Sequence, residues 1–180
     1  MSDQELLENL RMEGRRDAAF QELVLKYQER LYWHVRKIVL NHDDADDVLQ
    51  NTFLKAWKNL ENFREEASLY TWLYRIATNE SLTFINSRSR KSMVPMNEMS
   101  DFLKNRMMAE DYYDGSDIQK KLQDAVLTLP EKQRVVFNMR YFDEMPYQEM
   151  SDILETSVGA LKASYHHASK KVEDYLSQLE

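Results

Sequence analysis

Apolar residues in the first half of the chain recur at the three- and four-residue intervals of α-helices. These positions predict three helices, over 20–39, 43–60 and about 69–85. Asn41 and His42 interrupt the first run. Asp43 and Asp44 open the second, where the partial positive charge of a helix start favours acidic side chains. We expect the three helices to pack together as a first domain over residues 1–91.

The second half carries a similar but more closely spaced pattern. It predicts four shorter helices, over about 118–128, 131–142, 147–154 and 158–176. Pro130 and Pro146 each stand at a helix start, where the missing N–H of proline costs little. Between 92 and 117 the periodicity fades and Gly, Asp, Ser and Asn accumulate. We interpret 92–117 as an acidic linker, with a short helix around 101–109, and 118–180 as a second domain.

Composition agrees with a helical protein. The chain has only 3 Gly and 3 Pro in 180 residues, which disfavours a turn-rich β architecture. Apolar residues make up 43% of the chain, enough to build compact cores. The expected fold is therefore all-α, with two small helical domains joined by a flexible linker.

The charge distribution bears on possible partners. The net charge is −7, and residues 92–118 hold six acidic and two basic side chains, while both flanks are close to neutral. Such a chain is expected to bind free DNA weakly, because the DNA backbone repels excess negative charge. A function on DNA would need the help of a partner.

Several classes of protein are disfavoured by what the sequence lacks. It contains no Cys, which excludes disulfides, cysteine-ligated zinc and thiol catalysis. We find no apolar stretch long enough to cross a bilayer, and the first residues are charged throughout. We expect a cytoplasmic protein without membrane insertion, metal, cofactor or catalytic residue.

Residues 149–176 have the layout of a helix-turn-helix. A short helix ends near Glu155, Ser157 is placed to cap the next helix, and that helix is long. A helical wheel puts Lys162, Ala163, His166, His167 and Lys170 on the face opposite the apolar one. No acidic residue occurs between Glu155 and Glu173, which suits a helix lying in the major groove of DNA. The alternative is an ordinary solvated face of an amphipathic helix.

The second and third predicted helices carry two further candidate surfaces. Leu54 lies among polar residues, nearly opposite the apolar arc of its helix, and is a candidate anchor for a protein contact. On the third helix we expect Trp72 to be mostly core, and Tyr70, Tyr74 and Asn79 to be freer to stack on or contact unpaired bases.

Three other functions are open to this sequence. Residues 43–47 fit the DDxxD pattern that holds magnesium in prenyl and terpene synthases, although carboxylates at a helix start are common caps. A stand-alone helix-turn-helix regulator would bind DNA tightly without a protein partner. A helical interaction protein would bind no DNA, which the acid-free face disfavours.

Three motifs resemble, in order, those of the sigma-70 family of RNA polymerase sigma factors. Residues 46–57 resemble the D-D-x-x-Q-x-x-F-x-x-A-W signature of region 2, and residues 63–79 resemble the F-R-x-E-x-x-x-x-T-W-L-x-R-I-A-x-N segment after it. Residues 129–134 resemble the L-P-x-x-x-R opening of region 4, which the helix-turn-helix completes. Direct joining of regions 2 and 4 is the arrangement of the extracytoplasmic-function group. The resemblance implies a non-enzymatic transcription initiation factor.

The resemblance also implies site residues and partners. The clamp helices of core RNA polymerase would be held by Asp47, Gln50, Asn51, Leu54 and Lys58. The minus-ten element, with one base flipped into the loop 63–68, would be held by Phe63, Arg64, Glu66, Ser68, Tyr70, Arg75, Asn79 and Arg88. The minus-thirty-five element would be read by Ser157, Gly159, Lys162, Ala163, His166, His167 and Lys170. The polymerase flap and an anti-sigma factor are further implied partners.

The chain departs from family habit at several of these positions. Asn51 replaces a frequent Glu, and Glu65 replaces a frequent Gly. Ser164, His167 and Ser169 stand where many members carry Arg, which predicts weaker and more partner-dependent DNA binding.

Overall fold

The computed structural model describes residues 1–92 and 116–179, with side chains described up to Arg88 and again from Ser116. Within these residues the chain is helical and has no strand. The helices are α1 (Asp3–Leu10), α2 (Arg16–Val39), α3 (His42–Asn59), α4 (Leu69–Ser92), α5 (Asp117–Leu127), α6 (Glu131–Phe137), α7 (Tyr147–Leu154) and α8 (Val158–Ser177). Nearly all of the predicted linker, including the helix expected around 101–109, lies outside the described residues.

The first helix, α1, is an element that the sequence pattern did not predict. Its start is closed by a capping box, in which the Ser2 hydroxyl accepts from the Glu5 N–H and the Glu5 carboxylate accepts from the Ser2 N–H. Leu6 and Leu10 are fully or almost fully buried against α2. The first domain therefore has four described helices rather than three.

The boundary between α2 and α3 has a clear local cause. Leu40 takes a left-handed conformation, with φ of 68°, and so ends α2. The Asn41 side chain then accepts from the Asp44 N–H at 2.9 Å and caps α3. The predicted break at Asn41 is confirmed, although His42 already belongs to α3.

The loop before α4 is held at both ends. A 3-10 turn over Leu60–Asn62 closes α3, and the Ser68 hydroxyl accepts from the Thr71 N–H at 3.1 Å at the start of α4. Within the loop, Glu65 has φ of 57°, in the left-handed region that glycine adopts most easily. The helix that follows extends seven residues beyond the predicted end at 85, to Ser92.

The second half follows the predicted order of helices, with one difference. The α-helix that starts at Glu131 ends at Phe137, and a π-helical turn over Asn138–Phe142 replaces its predicted last residues. Glu155 ends α7 in a left-handed conformation, with φ of 53°. The Ser157 hydroxyl caps α8 by accepting from the Ala160 N–H at 3.2 Å. The helix-turn-helix is confirmed.

The two halves share one hydrophobic core. Beside α1 to α4, the main cluster contains Val135, Val136, Met139, Met145, Met150, Ile153 and Leu161 from the second half. The two halves meet where α7 packs directly against α4. A second cluster, centred on Ala125, Phe137, Ala168 and Val172, belongs to the second half alone.

Candidate nucleic-acid and protein interfaces

The outward face of α3 is open to solvent. Asp47, Gln50, Asn51, Leu54 and Lys58 are all exposed. Leu54 is 55% exposed, a large apolar side chain at the centre of a polar face. Packing among the residues that the structure describes gives no reason for an apolar residue there, so the face has the form of a protein-binding surface with an apolar anchor.

The loop 63–68 presents polar side chains above an aromatic floor. The half-buried Phe63 ring lies 4.8 Å, centroid to centroid, from the Trp72 ring. Arg64, Glu66 and Ser68 are exposed. The geometry is suited to a flat, partly polar ligand, since rings below offer stacking and the loop offers hydrogen bonds.

Tyr74 corrects one sequence-based prediction. It was expected to be free, but it is 4% exposed, and its ring lies 4.2 Å from that of Tyr70. Tyr70 itself is half-buried, with the Arg30 guanidinium 4.6 Å from its ring centroid. Burial raises the pKa of both phenols well above the usual value, so both rings stay neutral.

The remaining candidates on α4 do not form one patch. Asn79 is exposed and nine residues from Tyr70, which places it about half a turn around the helix. Arg88 lies about 27 Å further along the axis than Tyr70, at 1.5 Å per residue. Its guanidinium binds the Asp44 carboxylate at 2.6 Å. Arg75 contacts α7: its Nη2 donates to the Asp152 carbonyl at 2.5 Å, and its Nη1 lies 3.6 Å from a Glu155 carboxylate oxygen.

The outer face of α8 is open along its first three turns. Gly159, Lys162, Ala163, His166, His167 and Lys170 are all exposed, as is the cap Ser157. A Cβ at Gly159 would meet no atom of the described residues within 4 Å, so their packing does not demand glycine there. The face combines cations, imidazoles and small residues, the combination that a helix needs to enter a DNA groove.

The carboxylates at the start of α3 act within the fold. Asp44 is buried and bound to Arg88, whereas Asp43 and Asp47 are exposed. Among the described residues, no group of three or more His, Asp or Glu side chains converges as a metal site would require. The local role of Asp44 is thus an ion pair between α3 and α4.

No described helix is both long and apolar enough to span a bilayer.

Two basic residues that the sequence did not single out join the domains. Arg134 is 3% exposed, and its Nη2 donates to the Ile38 carbonyl at 3.3 Å; burial lowers its pKa to about 10. Lys37 forms an ion pair with Asp143. Arg134 belongs to the L-P-x-x-x-R motif, which could have drawn attention to it, but no local pattern marks Lys37.

An open acid-free face on a helix-turn-helix, together with a separate exposed face with an apolar centre, defines a DNA-binding protein that also binds a protein partner. Comparisons with known proteins give the family. The model of sigma-70 region 2 matches residues 23–91, and that of sigma-70 region 4 matches residues 119–172. The chain belongs to the sigma-70 family, in its extracytoplasmic-function group, and is a transcription initiation factor.

The likeness extends over whole chains. RNA polymerase sigma-H factor of Pseudomonas aeruginosa is 30% identical, over 98% of this chain and 95% of that protein. The sigma factor SigW of Bacillus subtilis is 27% identical, over 89% and 90%. Among solved structures, CnrH in complex with the cytosolic domain of CnrY has a TM-score of 0.69 at 23% identity, over 98% and 97% of the two chains. That last likeness shows the fold.

Proposed function

We propose that this sigma factor holds core RNA polymerase through the exposed face of α3 and reads promoter DNA with α8 and the α4 surface. The observation that carries the proposal is the presence, in one chain, of the Leu54-centred face and the separate acid-free face of α8. A regulator that acted alone would have no evident use for the first of these faces. The sequence relatives are RNA polymerase sigma factors by name, which supports the same assignment.

The polymerase contact centres on Leu54. Its side chain fills a pocket between the clamp helices, and the surrounding Asp47, Gln50, Asn51 and Lys58 form the polar rim. Lys55 is not part of this face because it pairs with Glu80 of α4. A second contact, with the flap, is supported on the second domain by Tyr141 and Phe142, two exposed rings whose centroids lie 5.0 Å apart.

DNA duplex is read by α8 in the major groove. Lys162 and Lys170 neutralise phosphates, and His166 and His167 contact phosphates or base edges, with Ala163 small enough to let the helix approach. The Lys162 ammonium lies 5.8 Å from the Tyr147 ring centroid, so α7 helps to orient it. The α8 N-terminus at Ser157 contributes its partial positive charge to a phosphate.

Melted DNA is captured at the other domain. A base extruded from the minus-ten element enters the loop 63–68, while Tyr70 and Arg75 hold the neighbouring strand. Unstacking a base costs a few kcal/mol, and stacking on an aromatic side chain returns about 1–3 kcal/mol per base. The bubble is thus favoured by binding energy alone, and no catalytic group is needed.

The two DNA contacts act together because core polymerase holds both domains at once. Each contact is weak by itself, since the chain is acidic overall, with a net charge of −7. Joined on one polymerase, the second contact becomes intramolecular and gains from a high effective concentration. We place the protein in the cytoplasm, where it acts as a binding subunit rather than an enzyme, and an anti-sigma factor is its natural inhibitor.

Run-off transcription tests the proposal. Purified core polymerase is given pooled promoter fragments with and without this protein, and DNA binding is measured in parallel without core. Transcripts that require the protein, combined with weak DNA binding in the absence of core, are the expected result. Tight, specific DNA binding without core and no dependent transcript would instead identify a stand-alone regulator.

A further inference from the structure

A cavity of about 180 Å³ lies where the end of α2 meets α5 and α6 of the second domain. Its lining includes the apolar side chains of Leu40, Val126 and Leu127, together with the polar side chains of Arg134 and Asn138. A water molecule takes up about 30 Å³ in the liquid, so the cavity has the volume of about six water molecules. That is enough room for one small organic molecule.

The Arg134 guanidinium beside this cavity is a buried charge without a counter-ion in the described part of the chain. Arg134 is 3% exposed, and its Nη2 donates to the Ile38 carbonyl at 3.3 Å. Among the described residues, no carboxylate lies within 4 Å of the guanidinium, and the buried Nε–H has no hydrogen-bond partner. A buried cation is costly unless an anion pairs with it. Arg134 therefore calls for an anion that the described residues do not supply.

The other charges near the cavity leave this demand unmet. Lys37, which also lines the cavity, forms an ion pair with Asp143 and is therefore already compensated. Burial outweighs the attraction of the Glu131 charge and lowers the pKa of Arg134 to about 10, still above neutrality, so the guanidinium is charged at pH 7. One positive charge is left for a ligand, which suits a monoanion.

The walls of the cavity define the rest of the ligand. Leu40, Val126 and Leu127 are all buried. A phosphate would turn several oxygens toward these apolar walls and lose their hydration without a replacement. A carboxylate carries its charge at one end only. Its two oxygens can accept from the Arg134 Nε–H and from the side-chain amide of Asn138, which is four residues further along the same helical face.

We propose that this cavity is a binding site for a small monocarboxylate with an apolar body. The carboxylate pairs with Arg134, and the apolar body lies against Leu40, Val126 and Leu127. Such a ligand contacts residues of both domains. The site is separate from the α3, α4 and α8 surfaces assigned to polymerase and DNA, so its ligand binding can be tested without any assumption about transcription.

Benzoate is the probe, because it combines one carboxylate with an apolar ring. Its binding to the full-length protein is measured by NMR titration of methyl-labelled chain, beside benzyl alcohol, acetate and inorganic phosphate. Benzoate is expected to bind with a Kd of about 1 mM or below. Each of the other three has only one of the two required features and should bind at least about tenfold more weakly. Equal affinity for any of the three would overturn the proposed class of ligand.

The position of the probe is read from the same samples. Intermolecular NOEs from the ring protons of benzoate to methyl groups of Leu40, Val126 and Leu127 are expected. NOEs confined to exposed methyl groups, such as those of Leu25 and Leu179, would overturn the proposal. So would the absence of any saturable shift.

The role of the charge is tested with Arg134→Gln. Its control is Lys132→Gln, which makes the same change of net charge at an exposed residue of the same helix. Arg134→Gln is expected to weaken benzoate binding about tenfold, whereas Lys132→Gln should leave it unchanged. Equal affinities of the two variants would show that Arg134 does not hold the carboxylate.

A second variant keeps Arg134 and fills the space instead. Gln123 lines the cavity and is half-buried, so Gln123→Phe should occupy part of the volume without loss of the fold. Gln148→Phe makes the same substitution at an exposed residue of α7. Gln123→Phe alone is expected to weaken benzoate binding, by about tenfold. Circular dichroism checks the fold of every variant. Unchanged binding by folded Gln123→Phe would overturn the proposal even if Arg134→Gln failed to fold.

Discussion

The imidazole Nε2 of His34 lies 2.7 Å from the Thr78 hydroxyl oxygen, between α2 and α4. That hydroxyl donates its own proton to the Tyr74 carbonyl, also at 2.7 Å. Thr78 must therefore accept from His34, which fixes the neutral ring as the Nε2–H tautomer. Burial, with the nearby Lys37 charge, lowers the pKa of His34 to about 3.

Acid should destabilise the first domain through His34. In the unfolded chain the ring takes up a proton near pH 6.5, whereas in the folded chain it stays neutral down to about pH 3. The contribution of neutral His34 to the free energy of unfolding is therefore fully present above pH 6.5. It falls by about 1.4 kcal/mol per pH unit as the pH is lowered toward 3. Urea unfolding across this window measures the slope.

His34→Gln provides the control for that slope. Glutamine keeps an N–H donor for Thr78 but does not titrate, so the variant should lose most of the pH dependence between 6.5 and 4.5. If the free energies of unfolding of the wild type and the variant fell in parallel with pH, a group other than His34 would be responsible for the pH dependence.

Glu65 is expected to be a strained position. Its φ of 57° suits glycine, and the exposed ion pair that it forms with Arg11 contributes little. Glu65→Gly should raise the free energy of unfolding by about 0.5–1 kcal/mol, and Glu65→Val should lower it by about 1–2 kcal/mol. Thermal and urea unfolding measure both. Glu66→Gly changes a neighbouring residue that is not in the left-handed region, so it should not raise the free energy of unfolding.

Leu54→Asp should impair polymerase binding without affecting the fold. The side chain is exposed, so its replacement leaves the core intact, while an apolar anchor of an interface is worth about 2 kcal/mol or more. The expected loss is about 30-fold in affinity for core polymerase, measured by fluorescence anisotropy. Ile118→Asp alters an apolar residue on α5 that is even more exposed than Leu54, and this variant should bind normally. Equal losses in the two variants would argue against a specific role for α3.

The lysines on α8 should differ in how much each contributes to the salt dependence of promoter binding. Lys162→Ala and Lys170→Ala each remove one proposed phosphate contact, so each should lower the salt slope of promoter binding by the holoenzyme by about one. Lys171 points elsewhere, with its ammonium 3.1 Å from the Gln133 side-chain oxygen, and Lys171→Ala should leave the slope unchanged. A slope that Lys171→Ala reduces equally would mean that general charge, rather than the α8 face, sets the binding.

Most helices could be predicted from periodicity because each buries one apolar stripe. The α1 helix escaped prediction although α6 and α7 are equally short, because Pro130 and Pro146 mark the starts of those two helices and no proline marks the start of α1. Tyr74 was misjudged for a different reason. The α4 helix packs against α2 and α3 on one side and against α7 on another. A helical wheel that assumes a single buried face therefore assigns the second buried face to solvent.

The candidate faces were easier to predict than their surroundings. The exposure of Leu54 and of the α8 residues follows from amphipathic spacing within single helices. The contacts of Arg75 and Lys37 join residues more than 70 positions apart, and no local pattern encodes such a pairing. The roles of the loop 63–68, Asn79 and Arg88 in binding DNA stay predictions.

The position of α7 constrains how this protein can change over generations. Met150 and Ile153 are buried in the core shared by both domains, while Tyr147 contacts Tyr165 of α8 at 6.4 Å between ring centroids. A substitution in α7 that disturbs its packing against α4 is therefore expected to affect its contact with α8 as well. Substitutions in α7 are thus expected to be restricted by two packing surfaces at once, and fewer side chains should be acceptable there than on a helix with one neighbour.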